Sequence, residues 1–228
     1  MADFAVIFDL DGTLVETVDL VPASYIALGR SVGADFSRVP WKGLSVADFL
    51  KGANAAAGTS LSAVQARPFI HDWTVAAVRR SGRRAHVRGI GRLLRRLRAA
   101  GVPFGIVTAS PRTRALRILE ASGLARHFPE GRVESCPDPL PDGTFRHVPK
   151  RELFLRLTAS MGVAPSACVA FGDDPRDAFE AVAAGVGFPV GRRHRFATAR
   201  DLRAAGAKEV ISDFHRIHLD FFRRAVHS

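Results

Sequence analysis

Three short runs of apolar residues, each followed at once by acidic or hydroxyl side chains, constrain the fold of this chain more than any other feature. The runs lie at residues 4–8, 102–107 and 168–171, and the second of them predicts a strand over residues 102–108. Apolar residues that continue without alternation are typical of strands buried on both faces of a sheet. We therefore predict three strands at the centre of the molecule, each of which delivers polar groups at its carboxyl end.

The segments that follow these strands have the pattern of amphipathic helices. Apolar residues recur at helical spacing through residues 90–97, and Gly101 and Gly123 follow two of the helices, as glycines at helix C-termini often do. Two further short strands are predicted, one at residues 186–191 and one after the helix that begins at Asp201. Helices that alternate with strands from residue 86 onward predict an α/β fold, with a Rossmann-like parallel sheet between two helical layers.

Residues 15–84 interrupt this alternation, because their pattern is helical with glycine-marked turns. We predict an α/β core formed by residues 1–15 and 86–228, and an inserted helical domain formed by residues 16–85. A segment rich in proline and Asp-Gly, residues 137–149, predicts a loop or small hairpin that borders the functional site. Its role is left open.

Composition narrows the classes of partner. The chain has no run of eighteen apolar residues, its first residues are acidic rather than basic, and its two cysteines lack metal-ligand spacing. We expect a cytoplasmic protein without a membrane partner, as a monomer or homodimer. The net charge of +11 is compatible with nucleic acid, but one Tyr, two Trp and no recognisable binding motif disfavour it, and an anionic small substrate explains the charge equally well.

The polar strand ends suggest one shared site. In an open parallel sheet the ligand site lies beyond the carboxyl ends of the strands, so the three ends should meet in one crevice. Carboxylates that converge there repel each other unless a cation neutralises them, and hard oxygen ligands suit Mg²⁺. The converging residues are Asp9, Asp11, Thr108, Ser110, Asp173 and Asp174.

Three segments in this order resemble the motifs of the haloacid dehalogenase superfamily of Mg²⁺-dependent phosphatases and phosphotransferases. "DLDGTLVET" matches the first motif, "IVTAS" is similar to the second, and "FGDDPRDAFEAVAAG" is similar to the fourth. The resemblance covers nearly the whole chain. It implies a phosphatase that acts on a small phosphorylated metabolite, and it identifies the inserted helical domain as a cap.

The resemblance also implies roles for single residues, and the chemistry agrees with them. Asp9 would attack phosphorus to form an aspartyl-phosphate, and Asp11 would act as general acid and base. Thr108 would hydrogen-bond the phosphoryl group, and backbone N–H groups of Gly12 and Thr13 would bind the same oxygens. Mg²⁺ would be held by a set of four residues, with Asp177 acting through the metal's waters. The set consists of the Asp9 side chain, the Asp11 carbonyl oxygen, Asp173 and Asp177.

The third motif of the superfamily is a lysine that neutralises the nucleophile. Lys150 is the only lysine between the second and fourth motifs, and it lies where a helix is predicted to start. The text "VPKRELF" departs from the Lys-Pro-x-Pro of many capped members, so this match depends on position alone. Arg151 is the alternative.

Several residues keep a second interpretation. Thr108 could cap the following helix, Ser110 could be the N-cap before a first-turn proline, and Asp174 could either support the metal or begin its helix. In the cap, "WKGLS" resembles the loop that reaches the active site. There Lys42 could contact an anionic group of the substrate or lie in solvent, and Trp41 could belong to the cap core.

Two other functions stay open beside phosphatase. "KGLS" is similar to the cap loop of phosphosugar mutases of the β-phosphoglucomutase type, although those enzymes carry a cap His where this chain has Val21. A basic interaction protein on a phosphatase fold is the third possibility. The intact acids argue against it, because converging carboxylates are costly to keep without a use.

Overall fold

Six parallel strands form one sheet in the computed structural model, which describes residues 4–41, 44–129, 131–142 and 144–226. The spatial order is β3-β2-β1-β4-β5-β6, so the chain reverses its direction of travel across the sheet between β1 and β4. Ligands bind at such reversal points in open α/β sheets. The strands are β1 Ala5–Phe8, β2 Phe104–Pro111, β3 Val133–Cys136, β4 Cys168–Gly172, β5 Phe188–Arg192 and β6 Glu209–Ile211.

Strand β1 is buried on both faces. Val6 and Phe8 belong to one apolar cluster, and Ala5 and Ile7 belong to another on the opposite face. Helices α4, α5 and α9 contribute to the first cluster, and α6 and α7 to the second. The predicted three-layer α/β fold is thereby confirmed. The core helices are α4 Ile90–Ala99, α5 Arg112–Ser122, α6 Lys150–Met161, α7 Pro175–Ala183, α8 Ala199–Ala204 and α9 Leu219–Val226.

The inserted segment contains three helices, α1 Leu20–Ser31, α2 Val46–Ala57 and α3 Ala63–Ser81. They enclose an apolar cluster of their own, in which the Tyr25 and Phe49 rings stack at 3.8 Å between centroids. The last turns of α3 instead join the core cluster. Helix α3 therefore belongs to both parts of the molecule. Within the described ranges, no helix has the length and apolar character needed to cross a bilayer.

The structure departs from the prediction at two strands. Strand β3, "VESC", was not predicted, because an edge strand of four residues with two polar members has no apolar run. Strand β2 was predicted to end at residue 108 but continues to Pro111, with an irregular register after Thr108. Helix α9 was also not predicted, and its Phe222 packs into the core cluster.

Candidate active site

The carboxyl ends of β2, β1 and β4 lie side by side at the centre of the sheet. The backbone N–H of Asp9 donates to the carbonyl of Phe171 at 2.8 Å, which continues the pairing of β1 with β4 to the catalytic end. The structure therefore brings together the strand ends that the sequence predicted to meet.

Three buried carboxylates form a compact cluster there. Oxygens of Asp9, Asp173 and Asp177 lie within 4.8 Å of one another, and each residue is less than a tenth exposed. Lys150 Nζ donates to Asp9 Oδ1 and to Asp177 Oδ1, both at 2.5 Å. One lysine faces three carboxylates, so the cluster has an excess of negative charge.

The titration behaviour of the cluster reflects this excess. Burial raises the pKa of Asp9 well above its usual range, and Lys150 opposes the shift. Burial also raises the pKa of Asp173 to about 6, against the opposing effect of His194. A divalent cation would neutralise the excess negative charge of the cluster, and carboxylate oxygens are the ligands that Mg²⁺ prefers. The residues present therefore fit the metal that the sequence resemblance implies.

Two glycines allow the acids to approach this closely. A Cβ on Gly12, whose φ is +72°, would lie 2.0 Å from Asp173 Oδ2, and one on Gly172 would lie 2.3 Å from the Cβ of Asp177. Asp177 Oδ2 also accepts the backbone N–H groups of Asp173 and Asp174, both at 3.1 Å. The glycines and Asp177 thus set the position of Asp173.

The backbone after Asp11 is used differently from the prediction. The N–H of Gly12 donates to the Val15 carbonyl at 2.8 Å and to Thr17 Oγ1 at 3.1 Å. Because this N–H already donates to two protein acceptors, it is not free to bind a phosphoryl oxygen as predicted. Thr13 is buried, and its hydroxyl donates to Asp173 Oδ1 at 3.5 Å.

The side chain of Asp11 points to a different partner. Arg114 Nη1 donates to Asp11 Oδ2 at 2.6 Å and Nη2 donates to Oδ1 at 2.9 Å. Ser110 Oγ donates to Asp11 Oδ2 at 2.8 Å and accepts from Arg114 Nη1. Burial alone would raise the pKa of Asp11, but Arg114 outweighs it and holds the pKa well below its usual range. Sequence reasoning missed Arg114.

The alternative helix-capping interpretations are resolved by the helix bounds. Helix α5 begins at Arg112, so neither Thr108 nor Ser110 caps it, and buried Thr108 Oγ1 accepts the N–H of Ser110 at 3.1 Å. Asp174 is the N-cap of α7 and accepts the N–H of Arg176 at 2.9 Å. It lies outside the acidic cluster. Asp174 therefore begins its helix.

The third-motif lysine falls where the sequence placed it, at the first residue of α6. The alternative, Arg151, uses its backbone N–H to bind Glu180 Oε2 and contributes no contact to the cluster. The cap lysine predicted to reach the substrate, Lys42, lies outside the described residues. Its neighbour Trp41 packs against the apolar cluster of the cap.

A loop after β5 contributes two residues that the sequence analysis did not find. His194 Nε2 lies 3.0 Å from Asp173 Oδ2, and Phe196 places its ring edge-on to that of Trp41, with 5.0 Å between centroids. Arg192, at the end of β5, is buried and donates to the Gly12 carbonyl and to Glu16 Oε1. The run of basic residues in "GRRHRF", directly after a predicted strand, is the sequence feature that could have indicated these residues.

A cavity of about 500 Å³ adjoins the Asp11 side of the site. It lies between α3 of the cap, the start of α5 and residues 138–141 of the proline-rich loop. Arg114 contributes to its wall. The segment that the sequence placed near the site therefore borders this cavity.

Comparisons with known proteins agree with this geometry. The chain is 29% identical over 233 residues to an N-acetylmuramic acid 6-phosphate phosphatase from Pseudomonas aeruginosa, covering 97% of this chain and 96% of the relative. It is 29% identical over 188 residues to a phosphoglycolate phosphatase from Xanthomonas campestris, covering 80% of each chain. A crystal structure of a HAD hydrolase of family IA, variant 3, from Entamoeba histolytica superposes with a TM-score of 0.79 at 20% identity, covering 99% of this chain and all of the other.

The family assignment depends on a match to a sequence profile. The sequence profile of the haloacid dehalogenase-like hydrolases matches residues 5–185, a range that includes the acidic cluster, Lys150 and the whole cap. With the sheet order and the inserted helices, this match shows that the chain belongs to the haloacid dehalogenase-like hydrolase family.

Proposed function

We propose that this haloacid dehalogenase-like phosphatase hydrolyses a small phosphomonoester through an aspartyl-phosphate on Asp9. The observation that carries the proposal is the buried Asp9 carboxylate, held by Lys150 beside Asp173 and Asp177. A carboxylate so placed can act as a nucleophile, because the lysine opposes the effect of burial on its ionisation and balances the charge of the phosphoryl group.

The reaction takes two displacements at phosphorus. Asp9 attacks, the P–O bond to the alcohol breaks, and Asp11 gives a proton to the departing oxygen. Water then attacks the aspartyl-phosphate, Asp11 accepts its proton, and phosphate leaves with Asp9 restored. The pair with Arg114 favours the ionised Asp11 that accepts a proton in the second step, whereas the first step requires a protonated Asp11 and therefore an Asp11 released from that pair.

The acidic cluster would hold Mg²⁺ through Asp9 and Asp173, with the Asp11 carbonyl as a further ligand and Asp177 in support. The ion would supply charge neutralisation and orientation of the phosphoryl oxygens. Thr108, buried within β2, would donate a hydrogen bond to the same group. Ser110 would position the Asp11 carboxylate.

The relatives support the substrate class. Both named relatives are phosphatases of small organic phosphates, and the alcohols in both names are acids. The phosphomutase alternative gains no specific support, because Val21 packs against the apolar cluster of the cap and the residues 42–43 of "KGLS" lie outside the described ranges. We infer hydrolysis rather than transfer.

The test is Mg²⁺-dependent release of phosphate from p-nitrophenyl phosphate by the wild type and by Asp9→Asn. We expect the variant to lose activity on the order of 10⁴-fold or more, as nucleophile variants do. Asp174→Asn is the matched control, because Asp174 directly follows the cluster residue Asp173 but lies outside the cluster. Activity that survives in Asp9→Asn would overturn the proposal, and labelled phosphate that stays on an added sugar instead of reaching water would establish the mutase.

A further inference from the structure

The cavity beside Asp11 has the position that a leaving group needs. It opens at the carboxyl edge of the sheet, over the ends of β2 and β3, whereas the acidic cluster lies over β1 and β4. The Asp11–Arg114 pair lies between the two, since Asp11 follows β1 and Arg114 lines the cavity. A group that receives a proton from Asp11 must lie against the Asp11 carboxylate, and the cavity is on that side.

The lining of the cavity is largely apolar and carries charged side chains of both signs. Four prolines, Val64 and Leu140 supply the apolar wall, and the charged members are three arginines and two aspartates. Both aspartates are already bonded: Asp72 pairs with Arg117 at 2.6 Å, and Asp138 accepts the N–H and hydroxyl of Thr113. A volume of about 500 Å³ is typical of a small-molecule site.

Arg114 connects the cavity to the chemistry. Its side chain is 10% exposed, and its two terminal nitrogens each donate a hydrogen bond to one carboxylate oxygen of Asp11. A guanidinium fork fits any carboxylate in this way, so a carboxylate that enters the cavity competes directly with Asp11 for Arg114. His71, which also lines the cavity, stays neutral because burial and Arg114 lower its pKa to about 4.

We propose that this cavity binds the alcohol part of the substrate and that Arg114 recognises a carboxylate on it, exchanging Asp11 for the ligand. The inference depends on the proposed function and names its substrate class: phosphate esters of small hydroxy acids with an apolar part. The exchange frees both oxygens of Asp11 when the correct substrate is bound. Arg114 therefore determines specificity and at the same time sets the position of Asp11.

Two matched probes test the proposal, phenyl phosphate and 4-carboxyphenyl phosphate, which differ by one carboxylate. We expect the wild type to prefer the carboxylated probe by about tenfold or more in kcat/KM, the size of a charged hydrogen-bonded contact. In Arg114→Gln the preference should fall to within about twofold, and Arg114→Lys should keep part of it. Arg112→Gln, which changes an arginine at the same helix start that does not line the cavity, should keep all of it.

In Arg114→Gln, Asp11 lacks its arginine with either probe, so a displaced Asp11 slows both probes alike and the loss of preference reports the loss of recognition. A second measurement needs no variant: 4-hydroxybenzoate, the free alcohol, should inhibit the wild type competitively and phenol should not. A wild type without preference, or an Arg114→Gln variant that keeps it, would overturn the inference. Phenyl phosphate turnover by the wild type reports the phosphatase activity separately, so failure of the proposed function is recognised independently.

Discussion

Asp9 and Asp11 are two residues apart in the sequence, yet their surroundings differ in the ratio of cations to carboxylates. Asp9 shares one lysine with Asp177, and Asp173 lies in the same cluster. Asp11 has an arginine of its own, which bonds to both of its oxygens. The pKa of Asp9 is raised by burial, whereas Arg114 lowers that of Asp11.

The difference indicates that the charges around each carboxylate, rather than its place in the sequence motif, determine its chemical role. The Asp9 side is short of positive charge and is therefore suited to a cation. The Asp11 side is balanced and gains nothing from a metal, but it can exchange its arginine with another anion. Three measurements can break or sharpen this contrast.

The largest effect is expected from Lys150→Met in metal-free protein. The change leaves buried carboxylates without their shared cation, and breaking such a pair costs about 3–5 kcal/mol. For a domain of this size we expect Tm to fall by about 10 °C. Differential scanning calorimetry with and without Mg²⁺ measures the effect, and Lys51→Met, whose side chain is 80% exposed, is the control.

Arg114→Met provides the other half of the comparison. It should also destabilise the protein, but the gain in Tm on adding Mg²⁺ should equal that of the wild type. In Lys150→Met that gain should be larger, because the cation replaces the missing lysine charge. Equal gains in the two variants would contradict the contrast between the two sides.

A smaller effect is expected from pH. The pKa of His71 is lowered to about 4 by burial, by Arg114 and by Arg67, against the opposite effects of Asp11 and Asp72. Between pH 6.5 and 4 the unfolded chain therefore binds more protons than the folded one, and the free energy of unfolding falls with falling pH by up to about 3 kcal/mol.

His71→Gln should remove this contribution, so urea unfolding at pH 7 and pH 4.5 should differ less in the variant, by about 2 kcal/mol. The wild type serves as the control, because all other groups titrate alike in both proteins. An unchanged difference would mean that the positive charge beside His71 is screened.

The smallest effect is expected from His194→Asn. His194 acts through Asp173, so the variant should weaken Mg²⁺ binding by about tenfold, as the loss of a ligand's supporting partner does. Isothermal titration calorimetry measures the affinity directly. Arg195→Gln, in the same loop, pairs with Asp19 and should leave the affinity unchanged. Equal affinities in wild type and His194→Asn would show that the Gly12 loop and Asp177 suffice to hold Asp173.

The sheet and the acidic cluster could be predicted because they depend on local patterns. Apolar runs predicted three of the six strands, the convergence of their ends predicted that Asp9 and Asp173 meet, and the family resemblance placed Lys150 beside them. Strand β3 could not be predicted, since an edge strand needs only one partner and two of its four residues are polar.

Residues that act across the fold were also beyond prediction. Arg114 reaches Asp11 over 103 positions and His194 reaches Asp173 from the loop after the next strand. In a chain with 33 lysines and arginines, the sequence does not distinguish the buried Arg192 and the 10% exposed Arg114 from arginines in solvent. Only packing selects them. The direction of the Gly12 N–H depends in the same way on the turn that Val15 and Thr17 complete.

The buried Arg192 has a consequence for how this enzyme can change over time. The family profile matches residues 5–185, a range that contains every acid of the site. Arg192 and His194 lie outside that range. Even so, Arg192 donates a hydrogen bond to the Gly12 carbonyl, and His194 Nε2 lies 3.0 Å from Asp173 Oδ2. Substitutions at positions 192 and 194 can therefore change the contacts of the catalytic loop while the sequence of the first motif stays the same.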